Sequence, residues 1–171
     1  MACVFLGVGS NIQRERYIGV GLDALTELFG ELKTSSVYDG DAIGFAGDPF
    51  LNLVARIETD LPLAELAQQL RQLEYAHGRP ANATPNSPRQ LDIDILTYDD
   101  RVGLVDGVVL PRPEILRNAF VLRPLAELAP DVQHPEVGLS YAALWDAYDQ
   151  TTQKLWPVDF VWRGRALPLT S

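Results

Sequence analysis

The chain has 171 residues, 47% of them hydrophobic, which is enough for one well-packed core and short for two domains. Its formal charge of -9 argues against broad binding to the phosphate backbone of nucleic acids. The single cysteine excludes an internal disulfide, and no stretch approaches the roughly 20 apolar residues of a membrane span. We therefore expect a cytoplasmic protein with no membrane or nucleic-acid partner, monomeric or weakly oligomeric.

The first third of the chain predicts a strand, a helix and a second strand. Residues 2–9 form a short apolar run closed by glycine, as in a buried strand. Residues 13–29 place apolar side chains at helical spacing, and Gly30 follows where a C-terminal cap belongs. Residues 32–38 resemble a second strand.

The middle third repeats a strand, a helix and a strand. Residues 50–59 alternate between an apolar and a mixed face, as a half-buried strand does. A helix is predicted over 61–77, with Asp60 as its N-cap and Pro62 in its first turn. Residues 91–98 form the next strand.

The resulting order, βαββαβ, predicts an α+β protein with the ferredoxin-like arrangement, in which an antiparallel sheet carries both helices on one face. The other face of the sheet is then expected to be free for a site. A short helix is expected at 140–149 and an extended aromatic tail at 158–162. We divide the single domain into a core of about 2–135 and a C-terminal extension, 136–171.

Two carboxylates share one face of the strand 91–98. Side chains alternate along a strand, so Asp92 and Asp94 point away from the core, about 7 Å apart along the strand. That spacing suits carboxylates that bind a hard cation such as Mg²⁺, whose remaining ligands are water and substrate phosphates. An isolated D-x-D more often marks the solvated face of an edge strand, but Arg89 beside it favours a site where phosphate meets metal.

The local charge balance points to the same segment. Residues 71–123 hold seven arginines and seven acidic residues, so the rest of the chain carries the whole charge of -9. An anion is therefore most readily bound there. The glycine-rich stretch "GVGSN" (7–11) lacks the third glycine of a dinucleotide-binding fingerprint and is predicted to be a tight turn without a ligand.

Several stretches and their spacing together carry a family resemblance. They are "GVGSN", "FLNLVARIET", "LEYAHGR", "SPRQLDIDIL" and "LPRPEILRNAFVLRPLAELAP". Over residues 3–135 the chain resembles the 6-hydroxymethyl-7,8-dihydropterin pyrophosphokinases of folate synthesis. The resemblance implies transfer of pyrophosphate from ATP to the hydroxymethyl group of the pterin, with two Mg²⁺ ions as cofactors and these small molecules as partners.

The resemblance also implies roles for individual residues. Asp92 and Asp94 match the metal ligands, and together with Arg89 they are the candidate catalytic residues. The candidates for pterin contacts are Gly40, Ile43, Phe50, Asn52 and Phe120, the two phenylalanines matching the pair that sandwiches the ring. The candidates for nucleotide contacts are Glu74, Arg79, Arg89, Arg112 and Arg117.

Four positions depart from the family pattern. Ala81 replaces an arginine, Asn86 a tryptophan, Arg112 a histidine and Asn118 an arginine. Arg117, next to Asn118, is a candidate to replace the last of these. The departures leave two alternatives open besides an active enzyme: a relative that binds pterin or nucleotide without turnover, and a regulatory domain with a solvated acidic face.

Overall fold

The computed structural model describes residues 1–41, 48–79 and 89–170. The strands are β1 (Ala2–Ser10), β2 (Lys33–Thr34), β3 (Val37–Gly40), β4 (Leu51–Thr59), β5 (Asp92–Tyr98), β6 (Gly103–Val105), β7 (Val108–Leu110), β8 (Leu155–Val158), β9 (Val161–Trp162) and β10 (Arg165–Ala166). The helices are α1 (Arg14–Phe29), α2 (Leu63–Ala76), α3 (Glu114–Arg117), α4 (Ala119–Leu128) and α5 (Tyr141–Ala147). Within these described residues, no helix is long and apolar enough to cross a membrane.

The central sheet has the predicted ferredoxin-like topology. Its strand order is β5-β1-β4-β3-β8, with β2 also paired to β4, and the neighbouring strands pair antiparallel. The prediction of one strand over 32–38 was wrong, because two short strands flank Ser35. The Ser35 hydroxyl accepts a hydrogen bond from the Val54 amide at 2.9 Å, where a regular ladder would place a backbone carbonyl.

Helices α1 and α2 cover one face of the sheet, as predicted. Their buried stripes are Ile18, Leu22 and Leu25 in α1 and Leu63, Leu66 and Leu70 in α2. The predicted N-cap of α2 was wrong. The cap position is Pro62, whose carbonyl accepts from the Leu66 amide at 3.0 Å, whereas the Asp60 carboxylate lies 3.6 Å from the N-terminal ammonium group.

The opposite face of the sheet is not free along its whole length, contrary to expectation. A second hydrophobic cluster joins Phe5, Val54 and Leu96 of the sheet to the segment that contains α3, α4 and α5. Its buried helical members include Ile115, Leu122, Leu125 and Tyr141. The proline-punctuated sequence around α3 and α4, with Pro124 inside α4, masked the apolar pattern of these two helices. The open part of this face is therefore confined to the ends of the strands.

The C-terminal extension returns to the sheet. Strand β8, of which only Val158 falls in the predicted extended tail, pairs with β3 from Val37–Val158 to Gly40–Leu155 and forms one edge of the sheet. The β9–β10 hairpin lies against α1, where the Trp162 indole donates to Asp23 at 2.9 Å. Helix α5 lies within the predicted range 140–149, and its N-cap Ser140 accepts from the Ala143 amide at 3.1 Å.

Candidate active site

A cavity of about 460 Å³ opens on the uncovered part of the second sheet face. Its walls come from β1, β3, β4, β5, the start of α4 and the segment that leads into β8. Seven residues that the sequence nominated lie in its wall: Gly40, Phe50, Asn52, Asp92, Asp94, Arg112 and Phe120. The cavity therefore brings the predicted metal ligands and most of the predicted pterin contacts into one chamber.

The carboxylates of β5 face the cavity because the strand alternates. Ile93 and Ile95 are buried in the core with α1 and α2, so Asp92 and Asp94 point to the other face. On the neighbouring strand β1, Gly9 lies opposite Asp92 and Gly7 lies opposite Asp94. Because glycine carries no side chain, neighbouring side chains of the cavity wall can approach β1 closely at both positions.

The two carboxylates are electrostatically strained in the ligand-free protein. Burial, followed by the nearby Asp92 charge, raises the pKa of Asp94 from 3.8 to about 7. Burial likewise raises the pKa of Asp92 to about 6, with Glu74 as the next cause, while the Arg89 charge opposes the shift. A bound cation would relieve both effects by stabilising the ionised forms.

An arginine lies beside each carboxylate. Arg89, which is buried, donates from Nη1 to Asp92 Oδ1 at 3.1 Å. Arg112 Nη2 lies 3.5 Å from Asp94 Oδ1, and its Nε pairs with Glu114. Only Arg112 of these two arginines contributes to the cavity wall, so it is the better placed of the two to meet an anionic ligand there.

Glu74 lies next to strand β5, which carries the two aspartates, and does not line the cavity. It is buried, and its Oε2 accepts from the Ile93 amide at 2.9 Å, between the two aspartates. Its Oε1 pairs with Arg79 and lies 3.4 Å from Arg71 Nε. This arrangement holds the backbone of β5 at the point where the aspartates alternate, and a nucleotide contact for Glu74 or Arg79 remains a prediction.

Three of the pterin candidates come from two different parts of the cavity wall. Phe50 immediately precedes β4, Asn52 lies at the start of β4, and Phe120 lies in the first turn of α4. A Cβ atom at Gly9 would lie 2.8 Å from Asn52 Oδ1 and 3.3 Å from Phe50 Cδ1. Gly9 therefore admits both side chains to the cavity, which was not anticipated when "GVGSN" was read as a turn. The structure places Gly7 to Ser10 in β1.

Four sequence candidates, Glu74, Arg79, Arg89 and Arg117, are not in the wall of this cavity, and one lies outside the described residues. Arg117 is exposed and does not line the cavity, and its role in place of an arginine at Asn118 remains a prediction. Arg89 contributes through Asp92 and its backbone rather than by lining the cavity. Ile43, like Ala81 and Asn86, falls outside the described residues.

Several wall residues were missed by sequence reasoning. Tyr38 and Asp39 line the cavity from β3. Asp39 accepts two bonds of 2.7 Å from the Arg14 guanidinium, which also donates to the Pro49 carbonyl at 3.2 Å and so fixes the chain just before Phe50. An arginine in a helix and an aspartate in a strand carry no local signal of this pairing, which only the packed fold creates.

Asn11 joins two segments beside the site. Its side-chain amide donates to the Asp48 carbonyl at 3.1 Å, and its Oδ1 accepts from the Arg89 amide at 2.7 Å. Asp48 and Arg89 are the first described residues after the two ranges that the structure leaves undescribed. The buried Asn11 therefore holds the chain at Asp48, shortly before Phe50, and at Arg89, shortly before Asp92.

The fold and the cavity together define a class: a ferredoxin-like domain whose sheet presents an acidic patch beside two aromatic rings. The match to known families is more specific. The model of the 7,8-dihydro-6-hydroxymethylpterin-pyrophosphokinase family matches residues 5–130, and the chain belongs to this family.

Individual relatives agree with this assignment. The chain is 37% identical over 137 residues to a 2-amino-4-hydroxy-6-hydroxymethyldihydropteridine pyrophosphokinase of Aquifex aeolicus, covering 79% of this chain and 85% of the relative. The protein of the same name from Pseudomonas aeruginosa is 34% identical over 137 residues, covering 78% and 84%. The folic acid synthesis protein fol1 of Pneumocystis carinii is 32% identical over 149 residues, which cover 84% of this chain but only 20% of fol1.

A solved structure supports the fold. The Plasmodium falciparum HPPK-DHPS, crystallised with pterin and p-hydroxybenzoate, superposes with a TM-score of 0.66. The match covers 86% of this chain and 43% of that chain, at 13% sequence identity. This likeness concerns the architecture alone.

Proposed function

We propose that this protein transfers pyrophosphate from ATP to the hydroxymethyl group of 6-hydroxymethyl-7,8-dihydropterin in folate synthesis, releasing AMP. One observation carries the proposal: a single cavity holds Asp92 and Asp94 together with Phe50, Asn52 and Phe120. Such a chamber can hold a flat heterocycle and a metal-bound phosphate chain within reach of each other. Family membership supports the same activity.

The pterin would lie between the two phenylalanine rings. Offset stacking on Phe50 and Phe120 suits a flat heterocycle, and the Asn52 amide can donate to and accept from its polar edge. Gly9 keeps that amide in the cavity, since a side chain there would collide with it. The backbone of Gly40 supplies a further wall of the same chamber.

We further propose that Asp92 and Asp94 bind two Mg²⁺ ions. Within residues 1–41, 48–79 and 89–170, no group of three or more His, Cys, Asp or Glu side chains is suited to hold a metal. Magnesium is usually bound by one or two carboxylates completed by water and substrate phosphates, so an aspartate pair fits it. The raised pKa values of both aspartates mean that the ligand-free site disfavours their negative charges, which a bound cation would compensate. Bound Mg²⁺ would neutralise the phosphate charge that develops during transfer.

The chain's own part in the reaction is positioning and charge neutralisation. The pterin hydroxyl oxygen forms a bond to the β-phosphorus of ATP, the bond from that phosphorus to the AMP oxygen breaks, and the hydroxyl proton is released. Stacking on the phenylalanines orients the hydroxyl, and Arg112 lies where it can meet a phosphate oxygen beside Asp94. Asp94 is the candidate acceptor of the proton if one is needed.

The test is AMP release from Mg-ATP by the purified protein, with and without the pterin. We expect AMP only when both substrates and Mg²⁺ are present. Asp92→Ala and Asp94→Ala should each reduce metal-dependent turnover at least 100-fold while the protein stays folded, and the exposed Asp131→Ala serves as the control. Normal turnover by either cavity variant would contradict the metal assignment.

A second candidate is a family member that binds pterin without turnover. The observation in its favour is Asn118, which lines the cavity where the resemblance leads us to expect an arginine, while the side chain of Arg117 does not line that cavity. Pterin binding by calorimetry without any AMP formation would select this candidate. We also propose that the protein is cytoplasmic and is a monomer or a weak oligomer. Size-exclusion chromatography with light scattering would measure its mass in solution and so test the oligomeric state.

A further inference from the structure

The C-terminal extension forms part of the cavity wall. Gln153, Lys154 and Leu155 line the chamber, just before and at the start of β8. The family model matches only residues 5–130, so these wall residues belong to a stretch that the match does not include. Of the three, Gln153 alone uses its side chain to bridge to another wall of the cavity.

The Gln153 side chain is bound to the start of α4. Its Oε1 accepts from the Ala119 amide at 2.7 Å. Its Nε2 donates to the Arg117 carbonyl at 3.2 Å and lies 3.4 Å from Asn118 Oδ1. All three groups immediately precede Phe120, one of the two proposed stacking residues.

These bonds do the work of a helix cap. The first amides of a helix lack partners within the helix, and the N-cap side chain commonly supplies one. Asn118 occupies the N-cap position of α4, yet its side chain makes no capping hydrogen bond. Gln153 provides the acceptor instead, from a segment more than 30 residues further along the chain. The first turn of α4 is thus held by the C-terminal extension.

The extension is itself anchored next to the pterin side of the cavity. The Lys154 carbonyl accepts from the Asp41 amide at 3.2 Å, and the Leu155 carbonyl accepts from Arg123 Nη1 at 3.0 Å. A Cβ atom at Gly40 would lie 2.7 Å from the Lys154 carbonyl oxygen, so glycine at this position allows the close approach. The segment that carries Gln153 is therefore itself held in place by hydrogen bonds to β3 and α4.

We infer that Gln153 is a positioning residue for the pterin, acting through the first turn of α4 on the ring of Phe120. The inference rests on the proposed function, because it takes the pterin as the molecule that Phe120 contacts. It also makes the C-terminal extension an integral part of the site rather than an appendage.

The test compares Gln153→Ala with Gln150→Ala by calorimetry with 6-hydroxymethyl-7,8-dihydropterin and, separately, with Mg²⁺ and a non-hydrolysable ATP analogue. Gln150 is the matched control, since it lies in the same segment and its amide donates to the Trp145 carbonyl at 3.1 Å rather than to the start of α4. We expect roughly tenfold weaker pterin binding for Gln153→Ala, as for the loss of one or two hydrogen bonds, and nucleotide binding within twofold of wild type. The control should bind both ligands as wild type does.

Two further measurements separate positioning from general stability. In a Phe120→Ala background, Gln153→Ala should cost no additional pterin affinity, because the ring through which it acts is gone. Gln153→Glu keeps an acceptor for the Ala119 amide but sets an oxygen that cannot donate against the Arg117 carbonyl, so it should bind pterin no more tightly than Gln153→Ala. Additive losses, wild-type pterin binding by Gln153→Glu, or equal weakening of both ligands by Gln153→Ala would overturn the inference. Failure of wild type to bind pterin would instead contradict the proposed function.

Discussion

Asp94→Asn should stabilise the metal-free protein while removing its metal-dependent activity. The raised pKa of Asp94 means that the folded state disfavours the ionised carboxylate, with burial as the main cause and the Asp92 charge as the next. Asparagine has nearly the same shape and carries no charge. The substitution leaves no isolated cation, because Arg112 keeps its pairing with Glu114.

The magnitude follows from the pKa and the exposure. A rise from 3.8 to about 7 is a difference of about three pKa units, and each unit corresponds to about 1.36 kcal/mol. That would give about 4 kcal/mol, but the side chain is 34% exposed, so solvent screening reduces the expected gain to about 2 kcal/mol. For a chain of this length, about 2 kcal/mol corresponds to a Tm increase of about 4–8 °C.

The pH dependence gives the sharper test. An acid whose pKa is raised by folding destabilises the folded state increasingly as the pH rises from its unfolded pKa to its folded pKa. For Asp94 this destabilisation begins near pH 3.8 and reaches its full size above about pH 7. The advantage of Asp94→Asn in urea unfolding with EDTA should therefore be full at pH 8 and nearly absent at pH 4. Asp131→Asn, at an exposed position, is the matched control. Equal stability of wild type and variant at pH 8, or a gain that is independent of pH, would refute the reasoning.

Three other predictions concern the cavity wall and the second hydrophobic cluster. Phe120→Ala should weaken pterin binding at least tenfold and nucleotide binding little in calorimetry; equal effects would assign the ring to packing. Gly9→Ala should raise the KM for pterin at least tenfold with a small change in Tm, because the new methyl group displaces Asn52, whereas an unchanged KM would show that the Asn52 amide is not used. Burial lowers the pKa of His134, whose Nδ1 accepts two backbone amides, so its stability contribution should be lost as pH falls below about 6.5. Urea unfolding at pH 7.5 and 5.5 should show this loss for wild type and a smaller one for His134→Gln; identical losses would contradict it.

The parts of the site that lie on regular strands were predictable from the sequence. Alternation along β5 alone places Asp92 and Asp94 on the face opposite Ile93, and the structure agrees. The order of strands and helices up to residue 98 was also enough to predict the ferredoxin-like topology. These features depend on local periodicity, which a single sequence displays directly.

The remaining parts depend on contacts between distant segments. Nothing local to Gln153 or Asp39 indicates that one holds α4 and the other pairs with Arg14. Helices α3 and α4 on the second face were missed for a different reason: they are short, and proline interrupts the periodicity that would mark them. These helices cover part of the second face and leave the rest to the cavity, an arrangement that could be recognised only in the folded protein.

The walls of the cavity come from opposite ends of the chain, since β1 supplies Gly9 and the extension supplies Gln153. Contacts so far apart in sequence close slowly, because the chain entropy of a long loop must be lost before they form. The chamber should thus be among the last features to appear during folding. A pterin or nucleotide that fits it would bind only chains that have folded completely, so substrate binding would protect finished molecules and leave partly folded ones to proteolysis.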